Sequence, residues 1–231
     1  MKNIDYMSLD LKTLENILIN KFSDCYNQPH RFYHNLSHIK QMLLLMYNYR
    51  DIFELTPHEM HILTVAICAH DVVYNTPMVE RYFKYSSNEV QSAQACHDEL
   101  KGFFEYEILD RILQLIMSTE YIKCVERSLV SFKDRRGEDR LIAILHDLDF
   151  YGFMDSTTCS KNDELIMFEY VGLNPSALQL IPFLKGRLQF LNAASQIPIY
   201  ETEYFRKFNE TAKDNIKESI KKLKENNPTL I

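Results

Sequence analysis

The sequence predicts an all-α protein folded as a single helical bundle, and three observations carry that expectation. Only 5 Gly and 7 Pro punctuate 231 residues, too few turn signals for a sandwich or barrel of many short strands. Apolar residues recur at intervals of three and four along almost the whole chain, the spacing of one helix face. Helix-start signatures stand directly ahead of several of these apolar runs.

The elements follow in order. "SLDLKTLENILINKF" puts Leu11, Leu14, Ile17, Leu18 and Phe22 on one stripe, with Ser8 available as a cap. "NLSHIKQMLLLMYNY" places Leu36, Ile39, Met42, Leu43 and Met46 on one side. "TPHEMHILTVAICAHD" opens with Thr56 as N-cap, Pro57 at the first helical position and Glu59 closing a capping box. Ser86 and Glu89 form a second capping box in "SSNEVQSAQACHDELKG", and Gly102 supplies a stop. A helix over about 105–119 carries Ile108, Ile112, Leu115 and Ile116. Residues 128–139, "SLVSFKDRRGED", read as a loop before the apolar run "RLIAILHDLDF". Asn174 and Pro175 start the helix in "NPSALQLIPFLKGRLQFL", with Pro182 expected to kink it. From Thr202 onward, Phe205, Phe208, Ala212, Ile216, Ile220 and Leu223 recur at helical intervals on a charged background. No repeat or composition break marks a linker, so residues 1–231 read as one domain.

Composition narrows the function. Hydrophobic residues make up 46% and charged residues 25%, an ordinary globular mixture. The net charge of −6 argues against a general nucleic-acid binder. Five cysteines form no CxxC pair and are odd in number, which points to reduced thiols rather than a disulfide framework. No run approaches the ~18 apolar residues of a membrane span, and the first residues lack a signal-peptide core. The expectation is a cytoplasmic protein without a membrane partner.

The chemistry-bearing residues are histidines and aspartates. His34 and His38 stand four apart in "RFYHNLSHIKQM", a spacing that puts both imidazoles on one helix face. Of three His-Asp dipeptides, His97-Asp98 lies in a polar neighbourhood and reads as a solvated pair. His70-Asp71 and His146-Asp147 instead end apolar runs, where burial must be offset by a partner or a metal. Each of these alone is an ordinary buried polar residue satisfied by a neighbour. Together His34, His38, His70, Asp71, Asp147 and Asp149 make a mixed nitrogen and oxygen set suited to Mn, Fe, Ni, Zn or Mg.

These motifs resemble the HD-domain superfamily of metal-dependent phosphohydrolases. In particular the chain is similar to a bacterial family of HD phosphohydrolases in "PHRFYHNLSH", "HDVVY", "NEVQSA", "DLDF", "EYVGLNP", "KGRLQFL" and "IYET", spread over about residues 8–220. The "YHN..H" element is also similar to that of cyclic-nucleotide phosphodiesterases. The resemblance implies an HD-like bundle with His38, His70 and Asp71 as metal ligands and His34 as proton donor. It implies Asp149 as fourth ligand, with Asp147 as its rival, and Glu89 as the acceptor of a His34 hydrogen bond that keeps the ring protonated. Glu89 equally fits its capping-box role. Arg31 and Arg187 are candidates for a substrate phosphate, or for clamping helices. One departure from the family is Ile122 where a histidine usually follows Thr119 by three, which favours a single metal.

The function these features imply is hydrolysis of a small phosphate ester, a nucleotide by preference. The alternative is a nucleotide-sensing or partner-binding helical module that keeps the metal pocket without turnover.

Overall fold

A computed structural model of the chain describes residues 5–76, 87–120 and 140–228. Among the described residues it is all-helical, with no strand. After a 3-10 turn at Tyr6–Ser8 come α1 (Leu11–Tyr26), α2 (Leu36–Tyr49), α3 (Pro57–Ala69), α4 (Asn88–Leu100) and α5 (Tyr106–Ser118). The second half holds α6 (Arg140–Asp149), a 3-10 turn at Phe150–Met154, α7 (Ser156–Val171), α8 (Ala177–Ala194), the short α9 (Glu203–Arg206) and α10 (Asn209–Asn226). No helix among the described residues is long and apolar enough to cross a membrane, and the four described cysteines are free.

Helix α3 is the axis of the molecule. Every residue from Met60 to Ala69 is buried, so the helix has no polar face, and it packs on α1, α2, α4, α5 and α6. Its start is the expected one, with Thr56 and Glu59 in a reciprocal capping box and Pro57 in the first turn. Burying side chains such as Leu63 and Ile67 is worth about 1.5–3 kcal/mol each. A second layer comprises α7, α8 and α10, which pack on one another around Val171, Phe183 and Leu184. The 3-10 turn after α6 touches α6, α7 and α10 and so joins the layers.

Three caps differ from expectation by one or two residues. Asp10, not Ser8, caps α1 by accepting the Thr13 N–H. Ser87 caps α4 in place of Ser86, which lies outside the described residues; Glu89 therefore falls one position short of a capping-box glutamate. Ser176 rather than Asn174 caps α8, with Gln179 as its reciprocal partner. In each case a second capping residue stands one or two positions further on, and the helix starts where the backbone turns rather than at the first candidate. Helix α8 continues through Pro182 as one element. Gly102 does lie just past α4, with φ at 91° in the region glycine favours. The loop expected at 128–139, like Ile122, falls outside the described residues.

Candidate metal centre

The site begins with two helix ends. His70 is the C-terminal cap of α3, and its Nδ1 lies 2.9 Å from the Ile67 carbonyl. A carbonyl only accepts, so Nδ1 carries the proton and Nε2 is the atom left for a ligand role. His38 sits in the first turn of α2, behind its N-cap Asn35. Both Nε2 atoms are buried without a hydrogen-bond partner. Two such orphaned nitrogens are costly unless something else binds them.

What faces them is carboxylate. Asp149, the last residue of α6, brings Oδ1 to 3.1 Å from His38 Nε2 and 3.9 Å from His70 Nε2. Asp71 brings Oδ2 to 3.1 Å from His70 Nε2 and 3.8 Å from His38 Nε2. Around a cation with bonds of about 2.1 Å, neighbouring ligand atoms stand about 3 Å apart, so these spacings suit a shared ion. Ligand atoms of His38, His70 and Asp149 all lie within 4.8 Å of one another, and this trio is able to hold a metal ion.

The charges are mutually dependent. Burial alone would raise both aspartates. Instead the neighbouring imidazoles, His70 foremost for Asp71 and His38 for Asp149, hold the two carboxyls below their ordinary value. Burial pushes His70 down, yet the adjacent Asp71 and Asp149 carboxylates override it and lift the ring to about 9. In the ion-free site imidazolium balances carboxylate in a largely buried setting, and a divalent cation bound there would displace the Nε2 protons and keep the same balance.

His34 is adjacent but held differently. It precedes the Asn35 cap, so the two histidines do not share a helix face as expected. The turn before α2 instead leaves their rings 6.1 Å apart. Glu169 of α7, fully buried, accepts the Tyr33 and His34 backbone N–H groups on Oε1 at 2.7 Å each. Its Oε2 receives His34 Nδ1 at 2.6 Å, while the ring stacks on Tyr74 at 3.8 Å. The ring lines a cavity of about 870 Å³ together with His70, Asp71 and Asp149. Glu169 thus occupies the position expected of Glu89. Glu89 lines the same cavity, where burial raises its carboxyl, but it makes no hydrogen bond to His34.

The remaining candidates separate cleanly. Asp147 points away from the site and accepts the Glu201 and Thr202 N–H groups at 2.7 and 2.9 Å. Its companion His146 reaches Glu201 Oε1 and the Ser118 carbonyl, so this buried dipeptide anchors the approach to α9. His97 and Asp98 are exposed, as expected. Arg31 is buried, and its guanidinium donates to the carbonyls of His34, Asp71 and Val72 at 3.2, 2.5 and 2.9 Å. It therefore fastens the His34 turn to the Asp71 segment and presents nothing to a phosphate. Arg187 does line the cavity, gripped by Asp163 Oδ1 through Nε and Nη2 at 2.8 and 2.5 Å and stacked on Phe190. Thr119 lines it as well.

Glu169 has a signal in the sequence, the "EY" pair within the family-like "EYVGLNP", but nothing local ties it to His34, 135 residues away. No protein-family profile matches the chain, and no curated protein is similar to it at a significant level.

Proposed function

We propose that the chain is a metal-dependent phosphohydrolase of the HD type, acting on a small phosphate ester such as a nucleotide. The observation that carries this reading is the pair of buried, partnerless Nε2 atoms of His38 and His70, facing two carboxylates in the wall of a substrate-sized cavity. His38, His70 and Asp149 would hold the ion, with Asp71 as the fourth ligand, and its identity would be drawn from Mn, Fe, Ni, Zn or Mg. When bound there, a divalent cation supplies polarisation of a phosphoryl oxygen and acidification of water.

The protein's own groups do the rest. Glu169 fixes the His34 ring through Nδ1, which leaves Nε2 as the nitrogen that delivers a proton to the departing alkoxide. Stacking on Tyr74 holds the plane of that ring. Arg187, already oriented by Asp163, contributes positive charge to the cavity wall as charge develops on the phosphoryl oxygens. Arg31 keeps the segments bearing His34 and Asp71 in register.

The test joins metal analysis of the purified protein to a phosphatase screen with an aryl phosphate and a nucleotide panel, Mn supplied. Turnover is expected in wild type and its loss in the His70→Ala, Asp71→Ala double variant. Bound metal without hydrolysis of any substrate overturns the enzyme reading in favour of a binding module.

A further inference from the structure

Beyond the metal ligands and His34, the cavity is walled by rings and aliphatic groups. Phe150, Phe153, Tyr170, Phe183 and Phe190 all face it. Two carboxamides also reach it, Gln179 and Asn162. Gln179 is committed, since its Oε1 accepts the Ser176 N–H and hydroxyl at the start of α8. Asn162 lies in the second turn of α7, half-buried, and its side-chain amide makes no hydrogen bond to a described residue. An amide without a protein partner in an aromatic cavity wall is free to meet a bound molecule.

Gly152 makes room for that amide. A Cβ added there would stand 2.4 Å from Asn162 Nδ2, closer than side chains tolerate. The φ of Gly152 does not lie in the left-handed region, so backbone conformation does not demand glycine at this position. An alanine there would instead make the Asn162 amide, the free end of a flexible side chain, swing aside from this position. An amide offers one acceptor and two donors in a plane, the complement of a heteroaromatic edge, and phenylalanine rings offer the stacking face such a group needs.

We infer that Asn162, given room by Gly152, is a specificity-determining residue that reads the hydrogen-bonding edge of a flat heteroaromatic group carried by the substrate. The claim rests on the phosphohydrolase reading for where the phosphate sits. Among the described lining residues the only guanidinium is Arg187, already shared with Asp163, so the matching substrate class is a base-bearing monophosphate. The volume of about 870 Å³ falls in the range of pockets that enclose such molecules.

Kinetics with the four common ribonucleoside 5′-monophosphates and with 1-naphthyl phosphate test it, Mn supplied. Naphthyl phosphate has a stacking face and no edge to read. In Asn162→Leu and Gly152→Ala, kcat/KM for the preferred nucleotide is expected to fall about 10- to 100-fold, largely through KM. The naphthyl ester is expected to change by less than about threefold, because its recognition involves no amide. Equal losses on both substrate types, or no loss on any nucleotide, overturn the inference. Asn162→Ala, with melting curves for each variant, covers the case in which leucine prevents folding. Wild-type hydrolysis of the naphthyl ester without any nucleotide upholds the enzyme and sinks the edge reading. If nothing is hydrolysed, calorimetry with the same nucleotides decides. Binding weakened by Asn162→Leu keeps the recognition role while the phosphohydrolase reading fails, and absence of wild-type binding removes both.

Discussion

Glu169 shows no exposed surface and spends one oxygen on two backbone N–H groups and the other on the His34 ring. On the proposed function, its effect on turnover would therefore be exerted through another residue. His34→Gln is expected to lower kcat by about 10²- to 10⁴-fold, the usual contribution of a positioned proton donor. Glu169→Gln is expected to cost about 10- to 100-fold in kcat with KM and metal content unchanged, because only the aim of the ring is disturbed. Metal content that falls along with kcat would move Glu169 from orienting a ring to supporting the ion site. Arg31 offers the contrasting case, a cation spent wholly on carbonyls. Arg31→Lys supplies a single point donor where three carbonyls are met, and it is expected to lower the melting temperature and loosen metal binding together. An unchanged melting curve with weakened substrate binding would return Arg31 to the phosphate.

Helix α3 shows at the next scale why some features are legible in the sequence. Thr56, Pro57 and Glu59 all act within one turn, and His70-Asp71 closes a run from Ile62 that is apolar but for Thr64, so local chemistry marks both ends. Caps chosen between near neighbours, Ser8 against Asp10 or Asn174 against Ser176, depend on where the backbone turns, and no propensity resolves that. Partnerships across the fold are illegible for a different reason. His34 with Glu169, and Arg31 with the 71–72 carbonyls, are set by how helices dock. Glu59 also provides a pH test of the element. Burial would raise its carboxyl, but the Thr56 N–H and hydroxyl and the Arg140 guanidinium hold it below the ordinary 4.5. Its folded-state pKa being depressed, the stabilisation is fully present above about 4.5 and disappears as pH falls through the lowered value. Glu59→Gln should thus be less stable than wild type by about 1 kcal/mol at pH 7, a gap that closes in acid. A gap constant from pH 7 to 3 would show that hydrogen-bond geometry, not charge, is what Glu59 contributes.

For the molecule as a whole, the candidate ion site brings together the ends of α2, α3 and α6, three helices far apart in sequence. A ligand that binds only the folded state at 100 times its Kd adds about 2.7 kcal/mol of stability. For a chain of this size that corresponds to about 5–10 °C in Tm. Saturating Mn should raise Tm by that amount, and the His70→Ala, Asp71→Ala protein should not respond. An equal response in both would place the ion elsewhere.

The Glu169–His34 bond also sets an order of events during synthesis. Of the groups around the candidate ion site the last, Asp149, is made at the end of α6, whereas the carboxylate bonded to His34 is made only near the end of α7. On the proposed function, a chain ending between the two would carry the candidate ion ligands but no group to aim the proton donor. On that reading the site is complete only when the second layer is present.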